Sequence, residues 1–506
     1  MKSNKAGSIL SIIIVFLQLV AEVFAAVMVL KLDLLPAKYL AAMLAMLILL
    51  LALTAGLLLL KGKNPVSLTR RIIGWVLAAL IICGCLFVTK VVSDTYRTLN
   101  SVTKPGEPTS IMEMYLLVRT DDPAKTYTDT ADYAYGIIAD YDEDHTQQAI
   151  ALVEENVGKS LSVTQFERIA DLADAILNDQ VDAIFMNGAA VALLTEDEAY
   201  EDFLEKVRIL YEIPLNQLET TEPSTEPSTE PPVTDKTVTN SPFIVYLSGS
   251  DTRSKKLRTS RSDVNIIVVV NPVTKQILLL NTPRDYWVPN PVGNGKRDKL
   301  THCGLYGPEC SMEALGDLYD LEVDYYAQIN FKGFETLVDA IGGITVNADH
   351  AFTTDGGYKI NKGPNHLNGE EALSFARERH HVNGGDNGRG KNQMKVISAI
   401  IDKMTTGTTI ISKYSAILKS LEGMFKTSVS MDDISLLVKM QLEDMASWNI
   451  QSYAVTGTGG SEKNYSSPGH KAYVMYPNEK AVAHAANLVD RVLSGEILTA
   501  ADMKIS

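Results

Sequence analysis

The stretch FIVYLSGSDTRSKKLRTSRSDVNIIVVV, residues 243–270, decides the character of the second half of the chain. Its two ends, FIVYL and VNIIVVV, are long apolar runs of the kind found in strands that are covered on both faces. A third such run, QILLL, follows at residues 276–280, and helix-like segments separate the later strand-like runs. This alternation predicts an α/β fold with a central sheet flanked by helices.

The segment between the first two runs is highly charged. A charged connection between strands is ordinarily a solvated loop, and we expect its lysines and Arg258 to belong to such a loop. Its two aspartates suit a hard divalent cation, because Mg²⁺ typically takes one or two carboxylates together with substrate phosphates and waters. The charged residues are Asp251, Arg253, Lys255, Lys256, Arg258, Arg261 and Asp263.

Further cationic residues lie beside strand ends or turns in later segments. An extended backbone aims residues two apart the same way, and a helix aligns residues four apart. The arginine fork matches phosphate oxygens. For any one arginine a surface salt bridge is the alternative, and only the combination predicts a site for a highly charged anion such as pyrophosphate. The residues are Arg284 in NTPRDYW, Lys299 in GKRDKL, Arg377 and Arg379 in FARER, and Arg389 and Gln393 after the turn NGGDNG.

Residues 1–90 predict three membrane-spanning helices. The apolar runs Ala6–Leu30, Tyr39–Leu60 and Ile72–Val88 have the length that crosses a bilayer. Basic residues precede the first run and fill the loop after the second, which places both on the cytoplasmic side. The later domains are therefore expected to be extracytoplasmic in a multi-pass protein of the cell membrane. A cleaved signal peptide is the alternative, but it does not produce three successive runs.

Residues 107–213 form an acidic α/β segment. They contain 24 acidic and 6 basic residues, a balance of −18 in a chain whose net charge is −15. This acidity argues against a nucleic-acid partner. The strand and helix pattern resembles a lobe of a periplasmic solute-binding protein, and a small accessory domain without a ligand is the alternative. The Pro/Thr/Glu-rich segment at 214–240 predicts a linker to a domain at 241–498.

Two cysteines, Cys303 and Cys310, lie in the part of the chain that is expected outside the membrane. They are seven residues apart with glycine and proline between them, and an oxidising compartment permits disulfides. We therefore predict a Cys303–Cys310 disulfide. Zinc is less well supported, because only His302 is near and no second pair exists.

The charged motifs together resemble those of a known family. SGSDTR, RSD, TPRD, the lysine of DKL, FARER and GDNGR followed by Gln393 are similar, in order and spacing, to the LytR–CpsA–Psr family of Gram-positive envelope proteins. The likeness covers about residues 243–404, continues more weakly to about Leu498, and agrees with the membrane topology. The chain departs from the common pattern at Lys391 and Asn392, where a more basic helix start is expected.

The resemblance implies transfer of a polymer carried on polyprenyl pyrophosphate, such as a teichoic acid or capsular polysaccharide, onto peptidoglycan. It implies Asp251 and Asp263 as ligands of Mg²⁺, with Mn²⁺ as an alternative. No base for the acceptor hydroxyl is obvious from the sequence, and either aspartate can serve only where the metal does not engage it fully. The resemblance also implies a lipid tunnel between sheet and helices, whose residues the sequence does not identify. The implied pyrophosphate shell is Arg261, Arg284, Lys299, Arg377, Arg379, Arg389 and Gln393, with Asp386 in the turn before Arg389; the implied catalytic residues are Asp251, Asp263, Arg284, Arg377 and Arg379.

Two other functions use the same residues. A pyrophosphatase would give water, and not a glycan, access to the site. A non-catalytic sensor of lipid phosphates would signal across the membrane and have little need for two aspartates. A histidine-based hydrolase is disfavoured, because no nucleophile motif accompanies the histidines, and His380 and His381 are expected only to flank the arginines.

Overall fold

The computed structural model describes residues 2–60, 66–103, 114–195, 197–213, 236–250, 257, 260–406 and 413–505. Asp251 and most of the predicted linker lie outside these residues. The chain forms two compact units. One contains Met1–Lys104, Asp402–Glu422 and Val429–Ser447, and the other contains Pro105–Ile401, Gly423–Ser428 and Trp448–Ser506.

The helices and strands of the described residues are numbered in chain order. The helices are α1 (Lys2–Leu32), α2 (Ala37–Leu59), α3 (Leu68–Thr103), α4 (Glu143–Val157), α5 (Ile169–Leu177), α6 (Gly188–Thr195), α7 (Phe203–Lys206), α8 (Leu300–Cys303), α9 (Pro308–Tyr319), α10 (Phe331–Ala340), α11 (Gly369–Arg377), α12 (Asp386–Thr405), α13 (Tyr414–Leu421), α14 (Met431–Asp444) and α15 (Glu479–Leu493). The strands are β1 (Met114–Arg119), β2 (Ala134–Ile138), β3 (Ser162–Phe166), β4 (Ala183–Asn187), β5 (Val207–Ile213), β6 (Phe243–Ser250), β7 (Ser262–Asn271), β8 (Gln276–Asn281), β9 (Trp287–Pro289), β10 (Arg297–Lys299), β11 (Tyr325–Asn330), β12 (Ile344–Ala348), β13 (Phe352–Thr353), β14 (Lys359–Ile360), β15 (Gly363–Leu367), β16 (Phe425–Thr427), β17 (Asn449–Ala454), β18 (Gly457–Asn464) and β19 (Ser467–Pro477).

The first unit is built on the apolar helices α1, α2 and α3, and all three are long and apolar enough to cross a membrane. This confirms the predicted spans, although α3 continues well past the predicted end at Val88, to Thr103. The apolar sides of α13 and α14 pack on α1 and α3, where Leu418 and Leu442 join a cluster with Val29 and Leu99.

The acidic segment folds as a five-stranded mixed sheet in the order β3-β2-β4-β1-β5. Strand β2 runs parallel to β3 and β4, whereas β1 runs antiparallel to β4 and β5. Helix α4 begins with Glu143 and Asp144, whose charges suit a helix N-terminus, and ends at Gly158 in the left-handed conformation. The predicted alternation of strands and helices in this segment is confirmed.

The acidic domain and the C-terminal domain share a buried polar network. The hydroxyls of Tyr141 and Tyr306 lie 3.0 Å apart, and that of Tyr306 lies 2.8 Å from Ser466 Oγ. The backbone N–H of Ser466 donates to Asp298 Oδ2 at 2.9 Å, and His302 Nδ1 lies 2.6 Å from Asp298 Oδ1. Since buried polar groups are costly without partners, this network fixes how the two domains pack.

The central sheet of the C-terminal domain has six strands in the order β16-β11-β6-β7-β8-β17. Strands β6, β7 and β8 are antiparallel neighbours, while β11 is parallel to β6 and β17 is parallel to β8. The apolar runs FIVYL and VNIIVVV are therefore strands of a mixed sheet. Tyr246 and Ile267 belong to the core that also contains residues of α9 and α15, such as Leu315 and Leu488.

The predicted Cys303–Cys310 disulfide is not formed. Both cysteines are buried free thiols. The glycine- and proline-containing segment between them forms a 3₁₀ turn and the start of α9 instead of a small open loop. The two thiols hydrogen-bond each other, which with burial raises the pKa of Cys303 well above its usual value, and Cys310 Sγ also lies 3.7 Å from Asn290 Oδ1. Such thiols pack as small apolar side chains.

Candidate functional site

A deep cavity lies between the central sheet and helices α10, α11 and α12. Its volume is about 640 Å³, and its lining is mostly apolar. Within α10 and α12 the lining residues are spaced three apart, Phe334 with Leu337 and Ile397 with Ile400, so each pair lies on one helix face. The other apolar lining residues are Leu247, Val264, Ile329, Phe331, Leu373, Ala376, Val396 and Phe425.

The same cavity is lined by most of the charged residues that the sequence singled out. They come from β7, from the turn after β8, from the end of α11 and from α12, which lie far apart in the chain. The structure therefore brings together side chains that sequence alone could only propose to converge. They are Asp263, Arg284, Arg377, Arg379, Arg389 and Gln393.

Asp263 and Arg284 form the ion pair of this site. Asp263 is near the start of β7 and Arg284 follows β8, and Arg284 Nη1 donates to Asp263 Oδ1 at 2.7 Å. The Asp263 and Arg284 side chains are 16% and 26% exposed. Burial alone would lower the pKa of Arg284, but the charges of Asp263 and Asp285 raise it above its ordinary value. The guanidinium is therefore firmly charged where an anion would bind.

Asp285 is a site residue that the sequence reasoning missed. Its carboxylate lies 3.7 Å from Arg284 Nε and 3.2 Å from Lys299 Nζ, so it joins the two cations. The available signal was its position next to Arg284 at the end of a strand. Lys299 and Arg261 were predicted in the anion shell, but neither lines the cavity; Lys299 reaches the site through Asp285, and Arg261 is half-buried just before β7.

Helix α12 presents Arg389 and Gln393 to the cavity on one face. Asp386 is its first residue, and Arg389 Nη2 lies 2.5 Å from Asp386 Oδ1. Burial lowers the pKa of Arg389, and the like charge of Arg284 adds to this, against the opposing effect of Asp386. The two arginines therefore repel each other in a way that a bound anion would relieve.

The departure from the family pattern at Lys391 and Asn392 has a structural explanation. Lys391 is exposed, whereas Asn392 is buried and donates from Nδ2 to the backbone oxygen of Phe375 at 3.2 Å. This bond ties α12 to α11. Gly390 lets α12 approach the end of β8, because a Cβ there would lie 2.5 Å from Asn281 Nδ2.

Arg377 and Arg379 flank a buried glutamate at the end of α11. Helix α11 starts with a capping box between Asn368 and Glu371 and ends at Arg377. The Arg377 guanidinium lies over the Phe331 ring, 4.6 Å from its centroid, a cation–π contact that holds it at the cavity. Both arginines are exposed, so they can reach a ligand from solvent.

Asp263 suits one of the predicted metal ligands. Among the described residues, Arg284 is the hydrogen-bond partner of its carboxylate, which leaves the second oxygen for a cation. The other predicted ligand, Asp251, lies outside the described residues.

The family of the chain follows from comparison with known proteins. The sequence profile of the LytR_cpsA_psr family matches residues 214–484, more than half of the chain. The chain is similar to a polyisoprenyl-teichoic acid–peptidoglycan teichoic acid transferase TagU of Enterococcus faecalis, with 38% identity over 195 residues, 38% of this chain and 63% of the relative. For the Bacillus subtilis protein of that name, identity is 34% over 212 residues, 42% of this chain and 63% of the relative. The matches thus span less than two thirds of these relatives.

A solved structure of Bacillus subtilis TagU aligns with 29% identity over 51% of this chain and 100% of that chain, with a TM-score of 0.40. The family assignment depends on the profile match and the sequence relatives. The chain belongs to the LytR_cpsA_psr family.

Proposed function

We propose that this protein transfers a glycopolymer from a polyprenyl pyrophosphate carrier onto peptidoglycan, on the outer side of the membrane. The observation that carries the proposal is the cavity itself, whose lining combines many apolar side chains with arginines and Asp263. Such a cavity suits a ligand with a long apolar chain and a strongly anionic group. The sequence relatives are named as transferases of teichoic acid from polyisoprenyl carriers to peptidoglycan, and a teichoic acid or capsular polysaccharide is the proposed polymer.

Different cavity residues bind the prenyl chain and the diphosphate of such a donor. The apolar wall formed by α10, α11, α12 and the sheet holds the prenyl chain. Arg284 and Arg389 hold the diphosphate oxygens from the buried side, and Arg377 and Arg379 hold them from the solvent side. Since phosphoryl transfer is catalysed mainly by positioning and by neutralisation of charge, these four guanidinium groups supply much of the required stabilisation.

Asp263 and Asp251 would hold a divalent cation, Mg²⁺ or Mn²⁺, which when bound neutralises negative charge on the phosphates. The acceptor hydroxyl of peptidoglycan attacks the phosphorus that carries the polymer. A new P–O bond forms to the acceptor, the bond to the bridging oxygen breaks, and polyprenyl phosphate leaves. The hydroxyl proton passes to a carboxylate of the site, Asp263 or Asp251. Arg284 and Arg389 stabilise the charge that develops on the leaving phosphate.

The test uses the full chain in detergent with a lipid-linked teichoic acid precursor, peptidoglycan fragments and Mg²⁺. A covalent product of polymer and peptidoglycan, detected by mass spectrometry, is expected from the native protein and not from Arg284→Ala. Release of the polymer as a free phosphate, equally fast without peptidoglycan, would instead identify a pyrophosphatase. Tight donor binding with neither product would identify a sensor.

A further inference from the structure

A second group of ligand-type side chains lies at the same cavity, apart from Asp263. Asp355, Glu378 and His381 place one carboxylate or imidazole atom each within 4.8 Å of one another. Asp355 and Glu378 line the cavity with His380. From the sequence, His380 and His381 are expected only to flank the arginines.

The distances within this group fit metal coordination, and the shorter of them also fits a hydrogen bond. His381 Nδ1 lies 3.2 Å from Glu378 Oε1 and 3.5 Å from Asp355 Oδ1. One imidazole nitrogen carries at most one proton, so it cannot donate well to two carboxylates at once. Around a tetrahedral cation with bonds of ~2.0–2.1 Å, neighbouring ligand atoms are roughly 3.3–3.4 Å apart. The two observed distances lie close to that value.

The other oxygen of each carboxylate has a separate partner, and Glu378 Oε1 itself also accepts two backbone N–H groups. The second oxygen of Asp355, Oδ2, lies 2.7 Å from His380 Nδ1. Glu378 accepts backbone N–H groups from Asp355 at 2.7 Å, His380 at 2.7 Å and His381 at 2.9 Å. Partners that orient ligands in this way are typical of metal sites.

We propose that Asp355, Glu378 and His381 form a binding site for a divalent transition-metal cation of the Zn²⁺ class. The imidazole favours Zn²⁺ over Mg²⁺, which prefers oxygen ligands alone. The Asp355 and His381 side chains are 54% and 53% exposed, so a further coordination position is open to solvent or to a ligand.

The bound cation has a consequence for the neighbouring arginines. Glu378 lies between Arg377 and Arg379 in the chain, and two carboxylates beside an anion-binding site oppose the anion. The cation offsets that negative charge and holds the backbone from which Arg379 projects. This consequence rests on the proposed function, whereas the binding of metal does not.

The test measures metal and not transfer. The full chain in detergent, freed of metal with a chelator and kept in excess Mg²⁺ to occupy oxygen-only sites, is titrated with Zn²⁺ by calorimetry, with the Co²⁺ absorption spectrum as a second readout. One Zn²⁺ per chain is expected. His381→Ala and Asp355→Asn should each weaken binding by at least roughly tenfold. His366→Ala is the matched control, because His366 is an exposed histidine of the same domain outside the group.

Glu378 is left intact, because its substitution would also remove three backbone hydrogen bonds. Thermal melts verify that the histidine and aspartate variants are folded. Absence of Zn²⁺ binding to the native chain would overturn the proposal. So would unchanged affinity in His381→Ala, or loss of the Zn²⁺ signal in Asp263→Ala alone, which would assign the cation to the other site. The experiment measures Zn²⁺ binding and not transfer activity. The proposed reaction can therefore fail without affecting the outcome for the metal site.

Discussion

Replacing Arg284 with alanine perturbs the charged end of the cavity at its centre. The guanidinium donates to Asp263 at 2.7 Å and lies 3.7 Å from Asp285, so one cation compensates two carboxylates. Without it, both carboxylates face the diphosphate that is proposed to bind there. The variant therefore loses a hydrogen-bond donor to the phosphate oxygens. It also gains uncompensated negative charge at the same point.

The expected loss follows from these contacts. Removing one preorganised donor from a site of developing charge costs about 2.7–4 kcal/mol. About 3 kcal/mol corresponds to a roughly 150-fold slower transfer. Arg284→Lys keeps the charge but loses the planar fork, so its loss should be smaller, roughly tenfold. The pair is largely buried, so Arg284→Ala should also lower the free energy of unfolding, by more than the ~1 kcal/mol of a surface ion pair.

The assay is the initial rate of polymer transfer to peptidoglycan fragments at saturating Mg²⁺, beside a thermal melt of each variant. Arg97→Ala is the matched control, because it breaks an arginine–aspartate ion pair in which Arg97 is 75% exposed. We expect its transfer rate to equal that of the native protein. A folded Arg284→Ala protein that transfers within about threefold of native would refute the placement of the diphosphate at this arginine.

Three further predictions concern topology and stability. A cysteine introduced within 220–235 should react with a membrane-impermeant thiol reagent in intact cells, and labelling only after lysis would contradict the topology. Gly390→Val should lower the melting temperature by several degrees, since its Cβ would lie 2.5 Å from Asn281 Nδ2, and an unchanged melt would contradict the close approach of α12 to β8. Asp298→Ala should cost about 3 kcal/mol of unfolding free energy in a urea titration, because it leaves His302 buried without its partner. Burial alone would raise the pKa of Asp298, but His302 lowers it. The native protein should therefore lose the stability contributed by this ion pair as the pH falls through the lowered pKa. Asp298→Ala should not show that loss.

Features that depend on local pattern can be predicted from the amino-acid sequence alone. Apolar runs of spanning length predict the helices α1, α2 and α3, because an apolar helix satisfies its own backbone hydrogen bonds in a bilayer. The strands β6, β7 and β8 follow from continuous apolar runs, whereas FARER, for which an extended backbone is expected from the sequence, begins inside α11, and this helix ends at Arg377. The spacing of Arg389 and Gln393 placed both on one helical face, as observed.

Which charged residues share a site depends on tertiary packing. Arg261 and Arg284 carry the same charge in similar sequence settings, yet Arg284 lines the cavity and Arg261 does not. Asp285 gains its role from Lys299, which reaches it from a different strand. Such contacts depend on how distant segments pack, and spacing along the chain does not encode that distance.

The open cavity and the unbridged state of the two cysteines also depend on tertiary packing. Apolar residues three apart on α10 and α12 are typical of any helix that packs on a core, and nothing in their spacing distinguishes a filled interface from an open one. Cys303 and Cys310 had a spacing compatible with a bridge, but the helices on either side place both thiols in the core as hydrogen-bonded neighbours. Whether the two thiols are buried depends on the packing of the whole domain. A short stretch of sequence shows only which arrangements are possible.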